Sequence, residues 1–312
     1  MSSLKVVIVS DNAENLPDWV RDEIAAAGIE LVAKKCKNTD ELLKYAAGAE
    51  LIWTRGRNEV ITAEILPELK NCKAIMRSGS GLDDIPVEAA KKSDIKVLNT
   101  PEAIAPTVAE HTVALLFALA RQIPQHDKAV RQNIWLSEET WAKWHVYGQT
   151  LGLVGFGLIA RHVVKMLKGF DLNFLVFDPY AEELIEEYGL QAVSFERLLT
   201  DSDFISLHCP LTRETNRLFG EEQFKLMKNS AFLINTSRGG VIDEQALITA
   251  LREHWIAGAA LDVTDPEPPD ADNPLLKLDN VIITPHIAAF SDEFARNFWK
   301  VSIEKLKSYH CS

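Results

Sequence analysis

The chain has 312 residues, of which 33 are Lys or Arg and 45 are Asp or Glu, so its formal net charge is −12. This length favours two domains, and the 47% of hydrophobic residues excludes a disordered or disulfide-framework chain. The acidic balance argues against nucleic-acid or anionic-membrane partners, because neutralising phosphates requires surplus Lys and Arg.

The four cysteines are far apart in sequence, at positions 36, 72, 209 and 311. Their spacing predicts neither a metal site nor a redox pair, and reduced thiols are typical of the cytoplasm. The N-terminal apolar run at residues 6–9 is too short for a signal-peptide core. No apolar run approaches the roughly 18 residues that span a bilayer. We therefore expect a cytoplasmic protein without a membrane partner.

Short apolar runs alternate with helical patterns along the first third of the chain. Continuous apolar runs of this length are typical of parallel strands that are covered on both faces. Helices are predicted between them, for example at 17–27 and 40–47, with Gly28 at a helix C-terminus. The predicted strands are residues 5–9, 30–33, 51–54, 74–76 and 96–98.

A long helix is predicted at 104–123, with Pro124 stopping or kinking it. A second strand–helix series follows, and a last helix is predicted at 291–309, whose packing partner periodicity cannot assign. The second series of predicted strands comprises residues 150–154, 173–177, 204–207, 231–234, 257–261 and 281–284.

Two consecutive strand–helix series predict an α/β protein with two doubly wound parallel-sheet domains. The first series ends near residue 100, so the boundary between the two domains is expected there.

The strongest motif is a glycine-rich turn that follows a predicted strand and opens a predicted helix. Gly155 would permit the tight turn, and Gly157 would let the backbone approach a pyrophosphate at the helix N-terminus. Ala160 replaces the third glycine and still permits close helix–strand packing. The pattern indicates a dinucleotide-binding site.

Asp178 ends the next predicted strand, 21 residues after Gly157, near the spacing expected of a ribose-binding acid. A carboxylate there accepts hydrogen bonds from the ribose 2′-hydroxyl and repels a 2′-phosphate. The following residues, 179–183, include no Arg or Lys, so NAD is favoured over NADP. The alternative is a plain glycine turn beside a surface aspartate.

Three polar side chains follow three later predicted strands, where open α/β sheets bind ligands. Arg238 offers a planar cation for an anionic substrate, and His286 offers a proton donor that titrates near neutrality. Glu267 would raise the pKa of that histidine and orient its ring. The alternatives are a surface arginine, a solvated loop acid and a packing histidine.

Taken together, four segments resemble the D-isomer-specific 2-hydroxyacid dehydrogenase family. They are the glycine turn, His-Cys-Pro-Leu-Thr at 208–212, Asn-Thr-Ser-Arg-Gly-Gly-Val-Ile-Asp at 235–243 and Thr-Pro-His at 284–286. The resemblance implies NAD-dependent interconversion of an (R)-2-hydroxy acid and its 2-oxo acid. It assigns the substrate clamp to Arg238, the general acid/base to His286 and its partner to Glu267, and it implies a homodimer. It also implies a flavodoxin-like substrate domain from residues 1–100 plus 290–312 and a Rossmann NAD-binding domain from residues 101–289.

The resemblance also implies a set of NAD contacts, in which Asp262 would meet the nicotinamide amide. His208, at a strand end, is interpreted as scaffolding of the cofactor pocket. The implied contacts are Ser80, Thr107, Gly155, Phe156, Gly157, Leu158, Ile159, Asp178, Cys209, Pro210, Thr215, Thr236, Ser237, Asp262 and Ala288.

Substrate contacts are expected in the first domain, at a turn whose backbone N–H groups could form a small anion nest. The family uses this turn for the substrate carboxylate, which implies roles for Ser78 and Gly79. Arg77 and the Arg-Gly-Arg segment of Arg55 and Arg57 could add positive charge, and phosphoglycerate dehydrogenases carry a similar Arg-x-Arg. A phosphorylated substrate therefore stays open, as does the alternative that Arg55 and Arg57 are solvated loop charges.

Two other functions stay open at this level. The turn at 77–83 and the aromatic residue soon after His286 also resemble the C-terminal binding protein branch, which would make the chain an NAD(H)-sensing interaction protein. A phosphite dehydrogenase-like oxidation is the other alternative. The tryptophans at 135, 141 and 144 are interpreted as packing or a dimer arm, with a substrate pocket as the alternative.

Overall fold

The computed structural model describes residues 3–135 and 144–311, so the predicted role of Trp141 lies outside the described residues. The chain forms two compact units, Met1–Ala105 with Ser291–Ser312, and Pro106–Phe290. The chain leaves the first unit after Ala105, five residues beyond the predicted boundary at residue 100. The reason is that the 3-10 turn Pro101–Ala103 contacts the C-terminal helix of the first unit.

The first unit contains one parallel sheet of five strands in the order β2-β1-β3-β4-β5. This is the flavodoxin-like strand order, as predicted. The strands are β1 (Leu4–Ile8), β2 (Ile29–Ala33), β3 (Leu51–Thr54), β4 (Ala74–Arg77) and β5 (Lys96–Asn99). Its helices are α1 (Asp18–Ala26), α2 (Thr39–Ala46), α3 (Val87–Lys92) and the C-terminal α11 (Phe294–Cys311).

Helix α11 packs on the sheet of the first unit, which answers the question left by its periodicity. The ring of Trp299 meets the buried ring of Trp53 edge-on, with centroids 5.3 Å apart. Ser302 Oγ lies 2.8 Å from Ser78 Oγ, and both side chains are fully buried. Buried hydroxyls require such partners, so this pair fixes the rotation of the helix over the strands.

The second unit contains a parallel sheet of seven strands in the order β12-β11-β10-β9-β6-β7-β8. This is the Rossmann order with one added strand, which confirms the predicted fold class. The strands are β6 (Thr150–Val154), β7 (Asn173–Phe177), β8 (Gln191–Ala192), β9 (Phe204–Leu207), β10 (Phe232–Asn235), β11 (Gly258–Leu261) and β12 (Val281–Ile283). The helices are α4 (Ala105–Ala120), α5 (Ile123–Arg131), α6 (Leu158–Leu167), α7 (Glu182–Glu187), α8 (Phe195–Asp201), α9 (Glu221–Leu226) and α10 (Glu244–Arg252).

The helix predicted at 104–123 is present as α4, but it ends three residues earlier, and a second helix, α5, begins at Ile123. Helix α4 ends at Ala120, and Gln122 adopts a left-handed conformation with φ of 49°. A proline ring at 124 would clash with the carbonyl of Ala120 if the helix continued. In the first turn of a new helix the same proline is well accommodated, so Pro124 begins α5.

All strand pairs of the second unit are parallel, so the segments that follow them emerge at one edge of its sheet. Strand order reverses between β6 and β9, the position where such sheets bind nucleotides. No helix among residues 3–135 and 144–311 is both long and apolar enough to cross a membrane.

Candidate active site

The glycine turn after β6 is shaped for close backbone packing. Gly155 has φ of 92°, and a Cβ added to it would lie 2.8 Å from the backbone nitrogen of Cys209. Any side chain there would collide with the segment that follows β9. Gly157 has no neighbour within 4 Å of such a Cβ, and it begins α6 without a side-chain cap. The turn therefore leaves open space in front of uncapped helix N–H groups, as a pyrophosphate requires.

Asp178 is held beside this turn by two backbone donors. Its Oδ2 accepts a hydrogen bond from the Phe156 amide at 2.8 Å, and its Oδ1 accepts one from the Tyr180 amide at 2.9 Å. Each carboxylate oxygen retains a lone pair for a further donor such as a ribose hydroxyl. The glycine turn and this carboxylate together fit an NAD molecule bound across the β6–β9 switch.

His208 follows β9 and lies behind the same turn. Its Nε2 is 2.9 Å from Ser206 Oγ, and burial lowers the pKa of the imidazole to about 4. The ring is therefore neutral at ordinary pH. Burial also raises the pKa of the Cys209 thiol to about 11, so this cysteine is not a reactive thiolate.

The loop after β11 and the loop after β12 bring a carboxylate and an imidazole together. His286 Nδ1 lies 2.8 Å from Glu267 Oε2, and both side chains are partly exposed. The hydrogen bond to Glu267 raises the pKa of His286 above its ordinary value, against burial and the charge of Arg238. Burial raises the pKa of Glu267, but the hydrogen bond and charge of His286 outweigh it and leave that pKa below its ordinary value.

Arg238 belongs to the same constellation, because its positive charge lowers the pKa values of both His286 and Glu267. Its Nη1 donates to the carbonyl of Ser237 at 2.8 Å. The structure thus brings together the guanidinium, the carboxylate and the imidazole that the sequence indicated. Such a set can bind an anionic acid and exchange a proton with it.

Asn235 shapes the turn that carries Arg238, a role that the sequence analysis missed. It is fully buried at the end of β10, and its Nδ2 donates to the carbonyl of Arg238 at 2.9 Å. Its Oδ1 accepts from both the amide and the hydroxyl of Ser237, at 3.0 and 2.9 Å. The only sequence signal was an amide side chain closing a wholly apolar strand.

Asp262 holds the loop of His286 from behind. The side chain is buried, and its Oδ1 accepts from the amide of Ile287 at 3.0 Å while its Oδ2 accepts from the amide of Ala288 at 2.9 Å. The His286 amide donates to the carbonyl of Asp262 at 2.8 Å. Oδ2 retains a lone pair, so the predicted contact with a nicotinamide amide stays a prediction.

Several other predicted cofactor residues stabilise the loops around this sheet edge. Thr236 is buried, and its Oγ1 lies 2.8 Å from Thr112 Oγ1. Thr215 Oγ1 donates to the carbonyl of Pro210 at 2.5 Å and closes the loop after His208. Leu158 and Ile159 form the first turn of α6, and Thr107 lies near the start of α4. Direct contacts of these residues with NAD stay predictions.

In the first unit, the amides of the predicted anion nest are engaged in the fold. The Ser78 amide donates to the carbonyl of Thr54 at 2.9 Å, and the Gly79 amide donates to Thr100 Oγ1 at 2.9 Å. The carbonyl of Ser80 accepts from the Asn99 side chain at 2.9 Å. Substrate binding by the amides of Ser78 and Gly79 would have to replace these bonds, and their assignment stays a prediction.

Arg55 and Arg77 of the first unit are packed rather than solvated. The Arg55 guanidinium lies 3.7 Å from the ring centroid of Trp299, and its Nη1 pairs with Asp11 at 3.3 Å. Arg77 Nε lies 3.5 Å from Asp84 Oδ1. These contacts overturn the alternative of a solvated loop charge for Arg55, whereas Arg57 is exposed, as that alternative expects. The guanidinium groups of Arg55 and Arg77 each face a carboxylate.

A model of the NAD-binding domain of the D-isomer specific 2-hydroxyacid dehydrogenases matches residues 113–288. The chain is 38% identical to D-3-phosphoglycerate dehydrogenase of Archaeoglobus fulgidus over 97% of its own length and 56% of that relative. It is 39% identical to hydroxypyruvate reductase of Thermotoga maritima, covering 86% of this chain and 87% of the relative. It thus spans about half the length of the phosphoglycerate dehydrogenase relative.

Solved structures agree with this assignment. An acyclic imino acid reductase in complex with NADPH and D-Arg is 31% identical, with a TM-score of 0.87 over 99% of this chain and 97% of that one. D-lactate dehydrogenase of Aquifex aeolicus, complexed with NAD and lactic acid, is 29% identical, with a TM-score of 0.82 over 97% and 95% of the two chains. The chain belongs to the D-isomer specific 2-hydroxyacid dehydrogenase family, a class of NAD-binding oxidoreductases. The predicted family and the predicted NAD cofactor are confirmed.

The turn of Arg238 and the loop of Glu267 meet backbone to backbone at Gly239. A Cβ on Gly239 would lie 2.1 Å from the carbonyl oxygen of Thr264, so the two segments must separate to admit an alanine. We predict that Gly239→Ala lowers the free energy of unfolding by about 1–3 kcal/mol, as overpacking does. It should also return the pKa of His286 toward its ordinary value, measured by NMR titration of the imidazole.

Gly169→Ala is the matched control, because a Cβ there meets nothing within 4 Å. Wild-type stability together with a wild-type His286 titration in Gly239→Ala would show that the two loops are not packed in this way.

Proposed function

We propose that this chain reduces a small 2-oxo acid to its (R)-2-hydroxy acid with NADH, and catalyses the reverse oxidation. The hydrogen-bonded pair of His286 and Glu267, with Arg238 beside it at the edge of a dinucleotide-binding sheet, carries this proposal. The enzymes named among the relatives support it over an interaction protein or a phosphite dehydrogenase.

NADH, when bound, supplies the hydride, and the residues of this chain bind the acid and move the proton. Arg238 would bind the substrate carboxylate and carbonyl oxygen, as a planar bidentate donor can. Because His286 Nδ1 faces Glu267, its Nε2 is the nitrogen that donates a proton to the carbonyl oxygen. The raised pKa of His286 favours the protonated imidazole, which reduction requires.

Asp178 supports the choice of NADH over NADPH. Its carboxylate is fixed beside the glycine turn, where a 2′-phosphate would meet a like charge. We also propose that the glycine turn, the 209–215 loop and Asp262 contact the dinucleotide, as the resemblance to the family implies.

An unphosphorylated substrate fits the first unit better than a phosphorylated one. Two of the three cations that a substrate phosphate could use there, Arg55 and Arg77, already face Asp11 and Asp84. We therefore propose a small acid such as glyoxylate or hydroxypyruvate, in line with the names of relatives whose length the chain largely covers.

The test is NADH oxidation with glyoxylate, hydroxypyruvate, pyruvate and 3-phosphohydroxypyruvate, with NADPH in parallel. We expect an unphosphorylated acid with NADH to give the highest kcat/KM. Faster use of NADPH would contradict the role of Asp178, and a preference for the phosphorylated acid would contradict the reading of Arg55 and Arg77.

Replacing the substrate clamp should abolish turnover without removing the cofactor. We predict that Arg238→Ala lowers kcat/KM for the best 2-oxo acid by about 10²–10³-fold, because a charged donor at the developing oxyanion is lost. NADH affinity, measured by fluorescence titration, should stay near the wild-type value. Arg252→Ala, on the exposed face of α10, is the control, and wild-type rates in Arg238→Ala would refute the assignment.

The pH dependence of reduction should follow the charge of Glu267. Reduction needs protonated His286, so its rate falls as the pH rises through the raised pKa of that residue. Glu267→Gln removes the negative charge, lowers this pKa and moves the alkaline limb of kcat/KM to lower pH. Profiles recorded from about pH 5 to about pH 9 check the shift. Superimposable profiles of the two proteins would separate Glu267 from the proton donor.

We further propose a homodimer in which α5 packs against a second copy. No residue of α5 is buried, and apolar side chains on it and just after it are exposed by 47% to 72%. Exposed apolar stripes of this kind mark protein interfaces. These side chains are Ile123, Val130, Ile134 and Trp135. Trp144, in contrast, packs edge-on against Phe232 of its own unit at 5.0 Å.

Val130→Glu should therefore yield a monomer in sedimentation at a concentration where the wild type is a dimer, because a charge would be buried at the interface. Leu226→Glu, on α9 and similarly exposed, should leave the dimer intact. A Val130→Glu protein that sediments like the wild type would place the interface elsewhere.

We propose a cytoplasmic location for the protein. Cys36, Cys72 and Cys209 are buried as free thiols, and Cys311 is an exposed one, which suits a reducing compartment.

A further inference from the structure

His111, on α4, contacts Thr284, which follows β12, and Asp262, which follows β11. Its Nε2 lies 3.0 Å from Thr284 Oγ1 and 3.5 Å from Asp262 Oδ1. The Thr284 hydroxyl in turn donates to Asp262 Oδ1 at 2.5 Å. All three residues belong to the second unit, and Asp262 is buried.

The direction of these hydrogen bonds follows from the chemistry of the groups. An ionised carboxylate only accepts, and a hydroxyl has a single hydrogen, which Thr284 gives to Asp262. Thr284 Oγ1 can therefore only accept from His111, so the Nε2 of His111 must carry a hydrogen. The chain of donors runs from α4 through Thr284 to the buried carboxylate.

The Asp262 residue that Thr284 contacts also accepts hydrogen bonds from the loop that carries His286. Asp262 accepts the amides of Ile287 and Ala288 with its side chain and the amide of His286 with its carbonyl. His286 itself has φ of 53°, in the left-handed region that costs a non-glycine residue free energy. Such a conformation persists only where surrounding bonds hold it, and Asp262 accepts three of the bonds of this loop.

We propose that His111 is a positioning residue for the reaction. Its Nε2–H orients Thr284 and Asp262, and these keep the 284–288 loop in the turn that presents His286 to Glu267 and to the substrate. The role rests on the proposed function, since it concerns the same proton donor. Displacing a reacting group by about 1 Å can lower a rate by about 10²-fold, so a partner behind the loop can affect catalysis without touching substrate.

The first experiment compares His111→Leu, which removes the donor, with His111→Gln, whose amide can donate from a similar position. We expect kcat for the best 2-oxo acid to fall about 10- to 100-fold in His111→Leu, with KM for NADH within about twofold of the wild type. His111→Gln should recover most of kcat. Thr284→Val and Thr284→Ser form a second pair, in which only the valine variant breaks the chain of bonds.

Glu110→Gln is the matched control, because Glu110 is the exposed neighbour of His111 on α4. It should leave kcat and KM as in the wild type. Equal losses in His111→Leu and His111→Gln would mean that the ring serves packing and would overturn the proposal, as would a wild-type kcat in His111→Leu.

The second experiment needs no activity. Hydrogen exchange of the peptide that includes Ile287 and Ala288 should be faster in His111→Leu than in His111→Gln or the wild type, with the rest of the second unit unchanged. Unchanged exchange there, or a rise across the whole unit in both variants, overturns the positioning role. If the wild type reduces no 2-oxo acid in the panel, the proposed function fails while this measurement still decides whether His111 holds the loop.

Discussion

The hydrogen bond between His286 Nδ1 and Glu267 Oε2 is the interaction on which the rest of the site depends. Both side chains are partly exposed, and exposed ion pairs contribute little free energy by themselves. The pair persists because its two loops are fixed from behind. Gly239 lets the turn of Arg238 press on the backbone of Thr264, and Asp262 gathers the amides that follow His286. The hydrogen bond between His286 and Glu267 therefore depends on two loops whose backbones are fixed by other contacts.

The parallel sheet explains why residues so distant in sequence act together. Each strand of the second unit ends at the same edge, so every strand–helix connection can supply one group to one site. Strand β6 supplies the glycine turn, β10 the guanidinium, and β11 and β12 the carboxylate and the imidazole. The reversal of strand order beside β6 opens the space that a dinucleotide occupies. The proposed catalytic and cofactor groups are adjacent because they share this edge.

Strands were the easiest elements to predict, and one helix shows why others were harder. The first and last residues of β3, β6, β7 and β9 coincide with the predicted ones, because mainly apolar runs bounded by polar residues mark where each strand begins and ends. Periodicity extended the helix predicted at 104–123 to the residue before Pro124, although α4 ends at Ala120. A proline both ends one helix and begins the next, so only the left-handed Gln122 distinguishes the two outcomes.

The types and spacings of residues determined the proposed chemistry of this protein: a glycine turn with a spaced acid for NAD, and an arginine, a glutamate and a histidine at three strand ends. The tertiary structure alone decided which polar groups remain available for ligands. Ser78 and Gly79 resemble an anion nest in sequence, yet their amides bond to Thr54 and Thr100. Asn235 and His111 carried no distinct signal, because their partners are set by side-chain geometry within folded loops and, for His111, lie more than a hundred residues away. The partner of a side-chain hydrogen bond depends on which groups are close in space, and these groups come together only after the sheet has formed.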